Sequence, residues 1–463
     1  MAEIVKRSKA LSVNPLKVSQ PVGAALAFLG IRRAIPMLHG SQGCTAFGKV
    51  FFVRHFREPI PLQTTAMDQG STVMGADENV IEGLASIAAK SAPDLIGLPT
   101  TGLSETEGTD IHRLVKEFRA QHPEFATIPV VPVNTPDYVG SLESGYALAV
   151  KAIIDCLVPA DRGRVGRRKQ EVNVLAGALL TPGDIEHLKD LIEAFGLRPV
   201  VLPDIADSLD GHLTDQEFSP VTVGGTPVGE IARLGEASAT VVIGRSLGEA
   251  ADLLRERSGV PDYRFDNLIG LDNVDTFIAT LAELSGQPVP ERIERQRAQL
   301  QDAMVDTHFM LGFARFAIAA DPDLLHALAD LVTGMGGEVT AAVASSKSTL
   351  LAEINAPEVK LGDLEDLELT VRTRGADLLI ANSHAADTAR RLGMPLLRAG
   401  FPQYDLLGGY QKRWIGYQGT RQTLFDLANL LLAANHGEIA PYRSIYASRG
   451  EEGHAPSATR PIH

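Results

Sequence analysis

The segment HGSQGCTAF, residues 39–47, joins an apolar, strand-like run at residues 34–38 to a helix-like run at residues 47–56. Its two glycines permit a sharp turn, so Cys44 falls at or near the first turn of the predicted helix. The unpaired N–H groups at that position favour a negatively charged sulfur, which suits a nucleophile, a redox centre or a metal ligand. The alternative interpretation is a buried structural cysteine.

Strand-like and helix-like runs alternate along most of the chain, which is typical of parallel sheets covered by helices. The alternation breaks at a polar, basic stretch around residues 161–169 and again at the GQPVP segment, residues 286–290. We therefore expect an α/β protein with three units of similar size. The expected divisions are 1–165 for the first α/β unit with the candidate ligand, 166–290 for the second, 291–445 for the third with a bridging helix, and 446–463 for a tail.

The composition argues against several classes of function. The 463 residues include 57 acidic and 43 basic side chains, for a net charge of −14, which disfavours nucleic acids and anionic membranes as partners. No apolar run reaches the roughly 18 residues that a membrane helix needs, and the N-terminus lacks an apolar secretion core, so we expect a cytoplasmic protein. The two cysteines fit a reducing compartment, and Cys156 is expected to be a buried core residue.

The sequence contains none of the common catalytic motifs: no GxxxxGK[ST] phosphate loop, no HExxH, no GxSxG and no CxxC. The SSKST segment at residues 345–349 resembles the end of a phosphate loop but lacks its glycines. His39 stands shortly before Cys44, but adjacency along a bent backbone does not establish a nucleophile–base pair. Ordinary hydrolase or dehydrogenase chemistry has little support, and no catalytic residue is assigned.

Several separated blocks of sequence together resemble one known family. They are SQPVGA at residues 19–24, HGSQGC at 39–44, RHFREP at 54–59, TTG at 100–102, NTPDYVGS at 134–141, GFP at 400–402 and GYQG at 416–419. The chain resembles the nitrogenase component 1 family, on its β-subunit side, and within it the branch that assembles the iron-molybdenum cofactor. The resemblance implies three Rossmann-like α/β domains with parallel sheets flanked by helices, in agreement with the three units above.

Departures from the family pattern are more informative than the matches. By resemblance, the positions of Ser19 and Gly102 hold cysteines that bind the P-cluster of the catalytic β-subunit, and the position of Asp137 holds a serine that can also bind it. Only Cys44 remains a cysteine here. One thiolate cannot hold an iron–sulfur cluster, because a [4Fe–4S] cluster normally takes four. A pair of these chains would still fall short, so a different subunit has to contribute three cysteines, unless water or a carboxylate such as Asp137 completes the set.

The resemblance implies a metal-binding role for Cys44 and a set of partners. Cys44 would bind a [4Fe–4S] cluster shared with an α-type subunit in an α2β2 heterotetramer, onto which the nitrogenase Fe protein docks transiently. The complex would hold the precursor of the iron-molybdenum cofactor, mainly in the partner subunit. Gly40 and Gly43 are expected at the cofactor, since their backbone can approach a sulfide closely and donate N–H groups to it.

Two arginines, Arg54 and Arg57, follow Cys44 along the predicted helix. They could offset the charge of a cluster or contact the Fe protein. The plainer interpretation is a surface salt bridge to Glu58 or to the partner subunit.

Three functions of different class remain open. The favoured hypothesis is a scaffold subunit for cofactor assembly that is not itself an enzyme. The second is the β-type subunit of a catalytic nitrogenase-like reductase, including the dark protochlorophyllide reductase. The missing cysteines count against the nitrogenase subunit, and the HGSQGC and RHFREP blocks fit the nitrogen-fixation branch better than the pigment branch. The third is a structural or substrate-binding α/β protein in which Cys44 is inert.

Overall fold

The structure, a computed structural model, describes residues 2–6, 9, 11–213 and 219–435. Within these residues the named strands form three sheets, and all of them pair in parallel. Parallel pairing places helices on both faces of a sheet, so the predicted α/β class is confirmed. The expected tail, 446–463, lies outside the described residues. Among the described helices, none combines the length and apolar character that crossing a bilayer requires.

The first sheet contains four strands, in the spatial order Gln63–Thr64, Ala34–Leu38, Leu95–Pro99 and Val130–Val133. Its two central strands are apolar and buried along their whole length, which is the pattern of strands covered on both faces. The helices of this part of the chain are Gln20–Leu29, Gln42–Phe56, Gln69–Met74, Asp77–Ser91, Gly102–Glu107, Ile111–Gln121 and Leu142–Leu157.

The second sheet also contains four strands, in the order Arg198–Leu202, Arg168–Ala176, Ala237–Ile243 and Asp262–Phe265. Its first helix begins where the TPGD sequence predicts, because Thr181 Oγ1 accepts a hydrogen bond from the Asp184 N–H at 3.0 Å while Asp184 Oδ2 accepts one from the Thr181 N–H at 3.0 Å. The helices here are Pro182–Glu193, Ile205–Ser208, Val228–Ile231, Gly248–Ser258 and Leu271–Ser285.

The third sheet contains six strands, in the order Glu3–Lys6, Glu358–Leu361, Glu338–Ala344, Arg315–Ala320, Leu378–Ala381 and Leu396–Arg398. The bridging helix Glu291–Leu311 precedes it, close to the predicted bounds. The other helices are Pro322–Gly334, Leu364–Arg374, Ala386–Leu392 and Gly416–Asn435. Short 3-10 turns complete the chain at Pro123–Phe125, Arg162–Arg164, Leu234–Glu236, Arg245–Leu247, Thr349–Glu353, Ser383–Ala385 and Gly409–Gln411.

Two features of the structure differ from the expectations. The strand Glu3–Lys6, which the sequence places in the first unit, pairs with Glu358–Leu361 of the third sheet. This strand is short, and its partner is distant in the sequence, so no local pattern indicates the pairing. Cys156 is exposed rather than buried, because it lies in the last turn of its helix while Ile153 and Ile154 face the core.

The RHFREP and GFP blocks pack against each other and join the first part of the chain to the third sheet. The ring centroid of Phe401 lies 5.6 Å from that of Phe52 and 4.9 Å from that of His55. The Gln403 N–H donates to His55 Nδ1 at 2.9 Å, and burial lowers the pKa of His55 to about 3. The end of helix Gln42–Phe56 is therefore fixed by a buried aromatic contact and a neutral histidine.

A chain of buried hydrogen bonds connects all three parts of the molecule. Glu143 Oε2 accepts from the Asp323 N–H at 2.9 Å, and Asp323 Oδ2 accepts from the Ser246 N–H at 3.1 Å. Burial, together with the nearby Asp323 and Asp321 carboxyl groups, raises the pKa of Glu143 well above its usual value. The protonated form of Glu143 is thereby favoured, which limits charge repulsion where the three parts meet.

We expect Phe52→Ala to destabilise the protein strongly, because Phe52 is fully buried against Phe401. Removing a buried phenylalanine side chain typically costs about 3–5 kcal/mol. The matched control is Phe47→Ala on the same helix, whose side chain is exposed and whose loss should change the free energy of unfolding by less than about 0.5 kcal/mol. Chemical denaturation measures both values, and similar small losses would contradict the packing described here.

Candidate metal centre

The carboxyl ends of three neighbouring strands in the first sheet bring together sequence blocks that lie far apart in the chain. His39, Thr100 and Thr135 each lie just past one of these strands, and His39 forms an isolated parallel bridge with Thr100. The Thr135 N–H donates to Thr100 Oγ1, and Thr135 Oγ1 donates to the Thr100 carbonyl, both at 2.7 Å. Ligand sites of parallel sheets lie at this edge. The candidate site is therefore built from the HGSQGC, TTG and NTPD blocks.

Cys44 lies in the first turn of helix Gln42–Phe56, as the sequence predicts. It is partly exposed and forms no disulfide. Ser41 is the N-cap residue of this helix, yet its hydroxyl makes no capping bond and instead donates to Cys44 Sγ at 3.5 Å. Within the described residues, no side chain caps the first N–H groups of the helix. The site thus presents one sulfur beside uncapped backbone donors.

The two glycines expected at the cofactor have different surroundings. A Cβ at Gly40 would lie 2.4 Å from Thr101 Oγ1, so only glycine fits there. The Gly40 N–H donates to Thr65 Oγ1 at 3.1 Å, and it is therefore engaged, contrary to the expectation that it could donate to a sulfide. Gly43 is exposed, and a Cβ there would meet no atom closer than Ser41 Oγ at 3.8 Å. Gly43 remains open to a ligand.

His39 is fully buried, and both of its ring nitrogens already have partners other than Cys44. Nδ1 lies 2.9 Å from Thr65 Oγ1, and Nε2 lies 3.2 Å from Thr109 Oγ1. The Thr109 hydroxyl donates to Glu107 Oε2 at 2.6 Å, so its oxygen accepts from Nε2–H and the Thr65 hydroxyl donates to Nδ1. Burial lowers the pKa of His39 to about 4, which keeps the ring neutral. The nucleophile–base pair with Cys44 is absent from the structure.

Gly102 and Asp137, two positions that depart from the family pattern, contact each other. Asp137 Oδ2 accepts from the Gly102 N–H at 3.0 Å. A Cβ on Gly102 would lie 3.3 Å from both Cβ and Oδ2 of Asp137. The Asp137 carboxylate therefore fills the space beside Gly102, and one of its oxygens is held by the backbone. Ser19 is the N-cap residue of helix Gln20–Leu29, and its hydroxyl makes no capping bond.

The two arginines that follow Cys44 both contact Tyr404. The Arg54 guanidinium carbon lies 4.5 Å from the centroid of the Tyr404 ring, and Arg57 Nη2 donates to the Tyr404 carbonyl at 3.3 Å. Burial raises the pKa of Glu58, and among the described residues the charged groups that act on it are His212 and Asp210 rather than either arginine. The structure therefore shows contacts with Tyr404 rather than with Glu58, and the salt bridge to the partner subunit stays a prediction. Both arginines reinforce the contact between the first and third parts of the molecule.

Over the described ranges, no group of three or more His, Cys, Asp or Glu side chains is arranged to hold a metal ion. Cys44 is thus a single donor. A lone thiolate at the open end of a helix fits one position of an iron–sulfur cluster, but it cannot complete the usual set of four. The residues present fit a shared cluster and do not fit one held by this chain alone.

An apolar stripe on the same helix is open to solvent. Phe47, Val50 and Val53 follow one another at three-residue intervals, and their side chains are 71%, 49% and 40% exposed. The opposite face, with Phe52 and Phe56, is buried. Exposed apolar side chains on one face of a helix make this stripe a candidate contact surface.

Comparison with known proteins agrees with this geometry. The family model described as "Nitrogenase component 1 type Oxidoreductase" matches residues 19–432. The chain belongs to this family. Membership confirms the resemblance drawn from the sequence blocks, and the match covers the candidate metal centre and all three sheets apart from the N-terminal strand.

Eight relatives that are 43–46% identical to this chain share one name. The "Nitrogenase iron-molybdenum cofactor biosynthesis protein NifN" of Klebsiella pneumoniae is 46% identical over 444 residues, which cover 96% of each chain. The NifN protein of Bradyrhizobium diazoefficiens is 46% identical over 433 residues, covering 94% of this chain and 92% of the relative. The prediction that this chain resembles the cofactor-assembly branch of the family is therefore confirmed.

Solved structures show the same fold. A chain of "Nitrogenase Cp1 at pH 6.5" superposes with a TM-score of 0.87 at 32% identity, covering 94% of this chain and 96% of that one. A chain of "Nitrogenase Cp1 at pH 5" superposes with a TM-score of 0.70 at 15% identity, covering 95% and 92%, and this second match shows the fold alone. The predicted fold of the nitrogenase component 1 type is confirmed.

Sequence reasoning missed the residues that hold the turn before Cys44. Ser41 has the type and place of an N-cap, which predicts a bond to the backbone rather than to sulfur. Thr65 and Thr109 come from loops outside the quoted blocks, so only the three-dimensional structure places them on His39. The presence of Ser41 three residues before Cys44 was the one sequence signal that could have indicated the contact with sulfur.

We expect Gly40→Ala to destabilise the protein while Gly43→Ala leaves it nearly unchanged. The new Cβ at Gly40 would lie 2.4 Å from Thr101 Oγ1, an overpacking that typically costs about 1–3 kcal/mol. At Gly43 the nearest atom would be 3.8 Å away, and the change should stay within about 0.5 kcal/mol. Chemical denaturation of the two variants checks this order, and equal stabilities would contradict it.

Acidification should destabilise the protein partly through His39. Its pKa falls from 6.5 to about 4 on folding, so between these values the folded state binds fewer protons than the unfolded state, and stability is lost as the pH falls. A shift of this size corresponds to a loss on the order of 3 kcal/mol. His39→Asn lacks this titration, so its free energy of unfolding should fall less steeply from pH 6.5 to 4. Parallel slopes for both proteins would refute this assignment.

Proposed function

We propose that this chain is the β-type subunit of a scaffold on which the iron-molybdenum cofactor of nitrogenase matures. NifN relatives at 46% identity are named for the biosynthesis of that cofactor. With NifE as its α-type partner, the chain would form an α2β2 heterotetramer that holds an iron–sulfur precursor. The observation that carries the proposal is the single sulfur of Cys44 at an open helix end beside an exposed apolar stripe.

Cys44 binds one iron of a [4Fe–4S] cluster in this proposal, and three cysteines of NifE supply the other thiolates. The ligand count supports sharing, because the structure places no metal-binding group of this chain's described residues around Cys44. The cluster, when bound, supplies one-electron transfer. This chain supplies one sulfur, and the N–H groups at the start of helix Gln42–Phe56 favour the negative charge of the site.

The apolar stripe of Phe47, Val50 and Val53 is the surface we assign to NifE. It begins one turn after Cys44 on the same helix, so a partner that covers it also reaches the sulfur. Covering the stripe would remove three exposed apolar side chains from water and shield the metal centre. The partner contact and the shared cluster therefore support each other.

An α2β2 assembly needs a second contact besides the one between α- and β-type subunits. Val305, Phe309 and Phe313 form another exposed apolar set, spaced by four residues at the end of the bridging helix Glu291–Leu311 and just beyond it. Phe313 has a positive φ of 68° although it is not glycine. We assign this set to the contact with a second copy of the chain.

The precursor would be held mainly by NifE, since the described residues of this chain offer no group of metal-binding side chains suited to it. The Fe protein would dock transiently on the complex and donate electrons through the shared cluster. Of the two glycines expected at the cofactor, Gly43 keeps this role in the proposal, whereas Gly40 shapes the turn against Thr101.

The competing function is the β-type subunit of a catalytic nitrogenase-like reductase. The 32% identity with a chain of "Nitrogenase Cp1 at pH 6.5" favours it. The serine and glycine at positions 19 and 102 disfavour it, because they leave Cys44 as the sole thiol of the site. Reduction of acetylene by the purified complex with Fe protein and ATP, at rates typical of a nitrogenase, would support the reductase over the scaffold.

We expect Cys44→Ala to remove the cluster from the complex co-purified anaerobically with NifE, measured as iron and sulfide content and by the cluster's electronic spectrum. Cys156→Ala is the matched control, because Cys156 is exposed in the last turn of helix Leu142–Leu157, at the opposite end from the NTPD block, and its loss should leave the iron content unchanged. An unchanged cluster spectrum in Cys44→Ala would eliminate the ligand assignment. Isolation of this chain alone with a complete cluster would eliminate the shared ligand set.

A further inference from the structure

The hydroxyl of Ser41 is directed at a sulfur instead of at the backbone. An N-cap serine usually accepts a hydrogen bond from the second or third N–H of its helix. Thr181 does so in this protein, at 3.0 Å from the Asp184 N–H. Ser41 makes no such bond, and its hydroxyl donates to Cys44 Sγ at 3.5 Å. The helix therefore lacks a side-chain cap from Ser41, and the Cys44 sulfur accepts a hydrogen bond from it.

Hydrogen bonds hold the backbone of the two residues before Ser41, so the position from which its hydroxyl reaches Cys44 is built into the fold. The Gly40 N–H donates to Thr65 Oγ1 at 3.1 Å, and the Gly40 carbonyl accepts from the Met67 N–H at 2.9 Å. Thr101 Oγ1 donates to the His39 carbonyl at 3.0 Å. Ser41 follows this fixed segment directly and precedes the first helical residue, which leaves its backbone little freedom.

A hydrogen bond to a metal-bound thiolate changes the electronic properties of the metal. It withdraws electron density from the sulfur, which stabilises the state that carries the extra electron. Hydrogen bonds to sulfur are among the features that set the reduction potentials of iron–sulfur clusters. A donor at Cys44 Sγ therefore raises the potential relative to the same site without it.

We propose that Ser41 is a positioning residue that raises the reduction potential of the metal centre through its hydrogen bond to Cys44 Sγ. The inference rests on the proposed function, because it requires Cys44 to bind iron. One electron enters the cluster on reduction, and the hydroxyl proton stays on Ser41 Oγ in both oxidation states. Ser41 thus adjusts how readily the complex accepts an electron without contributing a ligand.

The test is a redox titration of the anaerobically purified complex with dithionite as the reductant, followed by electron paramagnetic resonance. Ser41→Ala should retain the iron content of the wild type and shift the midpoint potential to a more negative value. The separate variant Ser41→Thr keeps the hydroxyl and should have the midpoint potential of the wild type. Thr45→Val is the matched control, because Thr45 Oγ1 is a buried hydroxyl next to Cys44 with no hydrogen-bond partner among the described residues. The midpoint potential of the complex with this variant should equal that of the wild type.

An equal potential in Ser41→Ala and the wild type would overturn the inference, as would an equal shift in Thr45→Val. Ser41→Gly gives the same comparison with a residue that is accepted at an N-cap, should the alanine variant fail to assemble. A wild-type complex without iron would refute the proposed function instead. A wild-type complex with iron and an unshifted Ser41→Ala variant would refute only the role of Ser41.

Discussion

Parallel pairing of three strands is the interaction on which the candidate site depends. Ala34–Leu38, Leu95–Pro99 and Val130–Val133 run in the same direction, so the chain leaves all three at one edge of the first sheet. The loops that follow are tied together there by hydrogen bonds among His39, Thr100 and Thr135 and their neighbours. Cys44 reaches the surface because the first of these loops turns at once into a helix.

The number of thiolates then limits what this edge can do. A [4Fe–4S] cluster normally takes four thiolates, and this site provides one. Asp137 Oδ2 accepts the Gly102 N–H, so Oδ1 is the carboxylate oxygen that such a set would have to use. The exposed stripe that begins beside Cys44 gives a physical reason for a partner at the same place. Ligand count and apolar surface therefore lead to the same conclusion from independent observations.

Much of the fold could be predicted because its signals are local. The apolar runs of the buried strands, the capped start at Thr181 and the long helix from Glu291 all appeared close to their observed bounds. The strand Glu3–Lys6 could not be predicted, because its pairing with Glu358–Leu361 depends on contacts across most of the chain. Cys156 was wrongly assigned to the core because the end of an apolar helix does not reveal which side its last turn exposes.

The candidate site, like the fold, could be predicted from the sequence only in part. Position in the sequence was enough to place Cys44 in the first helical turn, whereas the surroundings of His39 and Gly40 depend on Thr65, Thr101 and Thr109 from other loops.

The most direct measurement of the proposed metal centre is a crystal structure of the anaerobically purified complex with anomalous diffraction at the iron edge. The shared cluster predicts an iron peak within bonding distance of Cys44 Sγ, at an interface where a different subunit provides three cysteines. A Cys44 side chain far from every iron and from every partner subunit would contradict it.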